Sequence, residues 1–213
     1  MNLKDTIGIF KNAFTQEECD LIKERFERAK TLKLTYSGQS GAGENDSIKS
    51  STDFDLLTSP IEDDVLFGYS IIEKLNEFVV NDYLSETFPF QDESQPASEL
   101  FNSDTFYELL QIQEYQKGSG HYHAWHAETG TFEMSRRLFS FILYLDDVAE
   151  GGETDFLYAD NGDGKPFSVK PEAGKLVIWP ASFPYVHRGR TPISSNKSIL
   201  TTWLSYEPGY EQY

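Results

Sequence analysis

Residues 121–130, "HYHAWHAETG", hold three of the chain's four histidines, His121, His123 and His126, and Glu128 follows the last of them by two positions. In an extended strand, side chains two apart leave on the same face, so His126 and Glu128 project together. One neutral imidazole beside one carboxylate offers two of the ligands a divalent metal takes. A third must come from elsewhere, and His187, sixty-one residues beyond His126, is the only histidine outside the cluster. Alternation leaves His121 and His123 on the opposite face, where a supporting or rim position suits them, unless a β-bulge turns His123 inward. The ordinary alternative is that His-x-Glu occurs by chance and His187 lies on the surface.

Ligands so far apart in sequence need strands to bring them together. From Tyr107 the chain reads as short strands punctuated by turns: "YELLQIQEYQ" (107–116), "RRLFSFILYLD" (136–146), "GKLVIWP" (174–180) and "KSILTTWLSY" (197–206). Gly151-Gly152 separates two strands, and "DNGDGK" (160–165) carries Asn-Gly and Asp-Gly hairpin signals; it lacks the acid spacing of a calcium loop. Upstream, "TQEECDLIKERFERAK" (15–30) predicts an amphipathic helix with a Thr15/Glu18 capping box, and residues 61–84 predict a second helix. Residues 36–54, rich in Gly, Ser and Asn, predict a mobile loop, and 85–104 a polar connection. The expected fold is mainly β with N-terminal helices, an antiparallel double-sheet jelly roll. It forms one domain over 1–213, with a helical buttress and loops to 106, a core over 107–206 and a tail over 207–213.

Composition excludes other classes. The 213 residues include 16 Phe, 12 Tyr and 3 Trp, which suit pleated surfaces. A net charge of −17 repels phosphate backbones, so nucleic acid is not an expected partner. The single Cys19 rules out an internal disulfide and fits a reducing compartment. With no cationic leader and no apolar run near the roughly 20 residues that span a bilayer, a soluble cytoplasmic protein without membrane contact is expected.

Several features then fall in a specific order: Tyr115 ahead of a glycine-containing turn, His126-Ala127-Glu128, "RRLFSFILYLDDVAEGGETDF", "VKPEAGKLVIWP", His187, Lys197 ten residues later and Trp203 six beyond that. In this order, from about 107 to 206, the sequence resembles the 2-oxoglutarate- and iron(II)-dependent dioxygenases of the prolyl 4-hydroxylase-like branch, whose core is a double-stranded β-helix. The resemblance implies that His126, Glu128 and His187 bind iron(II), the two-histidine, one-carboxylate set that leaves positions open for co-substrate and dioxygen. It also implies that Lys197 holds the far carboxylate of 2-oxoglutarate, that Tyr115 donates its hydroxyl to the same group, and that Arg137 and Trp203 lie near a substrate groove. A lysine inside an apolar strand needs an anion, because an unpaired buried ammonium is costly. The bland alternatives are a strand-start lysine facing water, a packing tyrosine, a structural ion pair at Arg137 and a core position for Trp203.

By the same resemblance the substrate is a peptide or protein C–H, foremost a prolyl residue in a proline-rich partner, with ascorbate as accessory. Arg136, Arg137, Arg188 and Arg190 are expected as a basic rim, with the segments 36–54 and 85–104 closing over a bound chain. A catalytically silent jelly-roll module that binds a peptide or small acid is the alternative. One departure stands out. The family usually has aspartate where this chain has Glu128, whose extra methylene carries its oxygens about 1.5 Å further from the backbone.

Overall fold

The computed structural model describes residues 3–40, 43–87, 104–160 and 162–207. Helix α1 (Gln16–Thr31) starts where expected: Thr15 Oγ1 accepts from the Glu18 amide at 3.2 Å and Glu18 Oε2 accepts from the Thr15 amide at 2.7 Å. It buries Cys19, Ile22, Phe26 and Ala29, three or four apart, so one apolar stripe faces the core. Helix α2 (Glu62–Glu77) opens with Glu62, Asp63 and Asp64, which complement the positive end of its dipole. The predicted 61–84 helix is not uniform. It widens into a π-helical turn over Phe78–Tyr83 and resumes as α3 (Leu84–Thr87). Lys74 on α2 reaches Glu18 on α1 at 2.6 Å, and Arg25 and Arg28 engage buried Asp64, so the helices form one buttress.

Thirteen strands follow in chain order among the described residues: β1 (Gly8–Phe10), β2 (Tyr36–Ser37), β3 (Lys49–Ser50), β4 (Thr52–Asp55), β5 (Thr105–Tyr107), β6 (Gln111–Tyr115), β7 (His121–His126), β8 (Arg137–Tyr144), β9 (Thr154–Phe156), β10 (Phe167–Val169), β11 (Leu176–Pro180), β12 (His187–Gly189) and β13 (Lys197–Tyr206). The larger sheet runs β1-β11-β8-β13-β6-β4-β2, with β5 also on β13, and the smaller runs β10-β9-β12-β7-β3. Every pairing is antiparallel. The result is the expected double-stranded β-helix.

Alternation along the large sheet explains its unbroken apolar runs. Phe141, Leu143, Ile178 and Leu200 pack with Ile22, Phe26 and Leu75 of the helices. Their neighbours Ile142, Tyr144, Val177, Trp179 and Ile199 turn the other way, into a second core between the sheets with Phe156 and Val169. Both faces of β8, β11 and β13 are thus buried, which a period-two polar pattern could not satisfy. The helices cover the outer face and leave the inner one for a site.

Two further expectations change. Residues 36–54 are not a loop throughout: they supply β2, β3 and β4, and bury Lys49 and Asp53 as an ion pair of 2.8 Å. Their polar composition hid this because the strands are two to four residues long. The run 107–116 divides into β5 and β6, since the Leu110 amide turns aside to Asp55 Oδ1 at 2.9 Å. Most of the polar connection at 85–104, like most of the tail, lies outside the described residues. The β9–β10 hairpin does form around 160–165, with Gly162 and Gly164 at φ 89° and 71°.

No helix among the described residues is long and apolar enough to cross a membrane.

One buried acid ties the small sheet together. Asp155 on β9 is fully buried and accepts from Ser168 Oγ (2.6 Å), Arg188 Nε (3.1 Å) and Arg190 Nε (2.7 Å). These bonds fix the strand that carries His187. Asp155→Asn should therefore cost about 2–4 kcal/mol in urea unfolding, because charge-assisted bonds to a buried group are lost at once. A variant as stable as the parent would show the clamp to be ornamental.

Candidate metal centre

β12 pairs with β7 so that His187 lies directly opposite His126. The next registered pair is Gly189 with Tyr122, so β7 spends four residues where β12 spends two. That irregularity is the bulge on which an inward His123 would have depended. It does not bring His123 in. His123 bonds Thr191 Oγ1 at 3.0 Å and stacks on His121 outside the centre, while Tyr122 is drawn onto the His126 ring, centroids 3.8 Å apart.

Glu128 lies just past β7, its amide donating to Ala181 O at 3.1 Å. Its Oε1 is 3.2 Å from His187 Nε2 and 3.7 Å from His126 Nε2. One ligand atom from each of the three residues lies within 4.8 Å of the others. Both imidazoles are held from behind: His126 Nδ1 meets Ala124 O at 2.9 Å and His187 Nδ1 meets Tyr185 O at 3.0 Å. A carbonyl can only accept, so each Nδ1 carries the proton and each Nε2 presents its lone pair. Trp179 packs edge-on against His187 at 4.9 Å and limits its rotation. Two nitrogens and one carboxylate oxygen, converging and tied from behind, fit a divalent ion of the iron class.

Charge supports the same geometry. Burial, and then the neighbouring His187, pull His126 down to about 4, against the Glu128 charge and the Ala124 bond, so the ring is neutral at pH 7. Burial pushes Glu128 up, but hydrogen bonding and charge from His187 and His126 when their rings are protonated, together with the Arg137 guanidinium, outweigh it and bring the carboxyl to about 2. A neutral His126 imidazole beside an ionised Glu128 carboxylate is the protonation state a metal requires.

The three side chains open onto a cavity of 610 Å³ between the sheets, a size that takes a small acid plus part of a larger ligand. Lys197 and Tyr115, registered partners on β13 and β6, line it. Lys197 is buried, its Nζ donating to Gly152 O at 3.1 Å and lying 4.6 Å from the Tyr115 ring centre. That carbonyl is available because Gly151 and Gly152 both take positive φ, 76° and 77°. A Cβ on Gly151 would come within 2.4 Å of Thr191 O, so the turn needs glycine. Leu109, Met134, Arg137 and Trp203 also line the cavity, and the buried Trp203 Nε1 has no partner among the described residues.

The structure thus brings His126, Glu128, His187, Tyr115, Lys197, Arg137 and Trp203 to one cavity. The basic rim is not free charge. Arg188 and Arg190 are spent on Asp155, Arg136 donates to Tyr206 O, and Arg137 pairs with Glu108 and Glu128. Sequence reasoning missed Tyr122, whose parity with His126 could have suggested it, and Lys49 with Glu108, for which no local signal existed.

The geometry defines a class: a double-stranded β-helix with a two-histidine, one-carboxylate site inside its open end. Residues 110–205 match the family model described as the 2OG-Fe(II) oxygenase superfamily. The chain is thus similar to that superfamily over less than half of its length. It is 32% identical over 119 residues to prolyl 4-hydroxylase 13 of Arabidopsis thaliana, an alignment covering 46% of this chain and 43% of the relative. The chain spans less than half the length of the curated relatives it matches. In fold it resembles a Pseudomonas putida prolyl-4-hydroxylase (TM-score 0.66, 14% identity, 94% of this chain and 93% of that one). It likewise resembles a prolyl hydroxylase from Trichoplax adhaerens solved with a hypoxia inducible factor peptide fragment (TM-score 0.70, 11% identity, 95% and 84%).

Lys197 yields a test of the pocket's energetics. Burial pulls it from 10.5 down to about 8, with the Glu153 charge opposing, and no carboxylate among the described residues pairs with it. The unfolded chain keeps the ordinary value, so stability rises with pH between about 8 and 10.5, and below that window the fold carries the whole cost of the buried charge. Lys197→Met should therefore stabilise the ligand-free protein at pH 7 by about 1–3 kcal/mol in urea titration, the lost Gly152 bond offsetting part of the gain. A destabilised variant would contradict this account.

Proposed function

We propose that the protein is an iron(II)- and 2-oxoglutarate-dependent dioxygenase that hydroxylates a C–H bond of a peptide or protein, foremost a prolyl residue. The observation that carries this reading is the convergence of His126, Glu128 and His187 in one cavity with a buried lysine that pairs with no carboxylate among the described residues. His126, Glu128 and His187 would hold the metal. Bound iron(II) and 2-oxoglutarate supply the oxidising chemistry, in which dioxygen is consumed, the keto acid leaves as succinate and carbon dioxide, and a substrate C–H becomes C–OH.

The chain's own residues bind, orient and exclude water. Lys197 Nζ would pair with the far carboxylate of 2-oxoglutarate, a charge-assisted bond in a dry site. Tyr115 stays protonated because burial raises its pKa. Its hydroxyl now donates to Gln113 Oε1 at 2.7 Å and would exchange that acceptor for the same carboxylate. Ile142 and Ile199 wall the cavity beside these groups and keep water from the charge. The Trp203 indole N–H supports a role as donor to substrate. A peptide substrate is supported by the prolyl 4-hydroxylase of Arabidopsis and by the peptide held in the Trichoplax structure. Ascorbate as accessory, a proline-rich partner and a cytoplasmic site belong to this proposal; the last is supported by the free, buried Cys19.

Succinate release with iron(II) and 2-oxoglutarate, raised by proline-rich peptides, tests the activity directly. His187→Ala should abolish it while the fold survives, and undiminished turnover in that variant would sink the ligand assignment. A protein that binds peptide without releasing succinate would be the silent module instead.

The co-substrate end has its own signature. Lys197→Ala should weaken 2-oxoglutarate by roughly ten- to hundred-fold, the worth of a charge-assisted bond of about 1.5–3 kcal/mol, and Tyr115→Phe by less. Because Lys197 is charged below about 8, affinity should hold steady up to that pH and then fall, by at most about tenfold per unit. A flat profile from pH 7 to 9.5 by calorimetry, or parental affinity in both variants, would mean the pocket is misplaced.

A further inference from the structure

Arg137 is fixed on every side. Its Nε and Nη2 fork onto the Glu108 carboxylate, with Nη2 to Oε2 at 2.7 Å and Nε to both oxygens at 3.1 Å. Ser205 Oγ donates to the same carboxylate from β13, at 2.5 Å. The flat of the guanidinium lies over the Trp203 ring, 4.0 Å from its centre. What remains, Nη1, turns to Glu128, meeting its outer oxygen Oε2 at 3.3 Å and its backbone carbonyl at 3.2 Å. Four of the five N–H donors an arginine has are thereby occupied, and the side chain is 9% exposed. Little of it is left for a substrate.

We infer that Arg137, braced by Glu108, is a positioning residue that adapts the long Glu128 side chain to the metal centre. The inference rests on the metal-centre reading above. Glutamate brings one more rotatable bond than aspartate and a carboxylate about 1.5 Å further out. Left alone, that carboxylate samples several rotamers, few of which bring an oxygen to the point set by His126 and His187. Nη1 binds Oε2 and the carbonyl of the same residue, so it folds the side chain back on its own backbone and leaves Oε1 toward both Nε2 atoms. Only a rigid planar fork spans Glu108 and Glu128 together; a lysine is a point charge and does not.

Manganese(II) binding, measured by calorimetry without 2-oxoglutarate, tests this independently of turnover. The parent should take up one Mn(II). Arg137→Gln should weaken it by roughly ten- to hundred-fold, and Arg137→Lys should recover little of that. Glu128→Asp alone should also bind more weakly, its carboxylate drawn back from the ion. In that background Arg137→Gln should cost less than about threefold further, because the shorter side chain needs no folding back. Glu108→Gln keeps the arginine while removing its brace, and should weaken Mn(II) in the Glu128 protein but not in the Glu128→Asp one. This variant also decides the question if Arg137→Gln does not fold. Parental affinity in the Arg137 or Glu108 variants, or equal losses in both backgrounds, would overturn the inference, since a merely structural role predicts no coupling to residue 128. A parent that binds no Mn(II), or His187→Ala binding like the parent, would instead overturn the metal centre itself.

Discussion

Two imidazoles face each other across one antiparallel strand pair, and the need for their lone pairs to converge constrains both sheets. His126 and His187 can meet only if β7 and β12 keep their register, and β12 is three residues long. Such a strand cannot hold register by its own ladder, so the neighbours do it. Asp155 grips Arg188 and Arg190 on either side of Gly189, Trp179 closes on His187, and the Tyr122 stack backs His126. The bulge in β7 belongs to this constraint. It removes two residues from the ladder and so lets an aromatic ring reach the imidazole it supports.

Period-two alternation made the His126/Glu128 pair legible, and the capping box with its apolar stripe made α1 legible to within a residue. Strand β13 was visible over its full length because both of its faces are buried, leaving an unbroken apolar and β-branched run. The 36–54 segment was not legible. Its strands are too short for any periodicity, and Lys49 and Asp53 are buried only because each neutralises the other, a fact about space and not about sequence. Three of the four arginines misled for the same reason: composition reports charge, whereas Glu108, Asp155 and Glu128, which absorb it, lie up to 35 residues away.

The cations of the cavity divide by whether they have partners. Lys49 has Asp53, Arg137 has two carboxylates, and Arg188 has Asp155. Lys197 alone of this group faces only a carbonyl and a ring. In a strongly acidic chain this one buried ammonium pairs with no carboxylate among the described residues, so its electrostatic cost would become attraction if a carboxylate arrived.

The two histidines and the lysine belong to different sheets. His126 and His187 ride on strands of six and three residues, while Lys197 and Tyr115 ride on a sheet clamped under α1 and α2. Cooperative openings in a protein follow local packing, so the small sheet should exchange its amide hydrogens through partial openings that leave the large sheet closed. An ion held by His126, Glu128 and His187 would act on those openings as a cross-link between three backbone segments. Its dissociation would then follow the breathing of the small sheet, and slow exchange at β12 would report occupancy without depending on turnover.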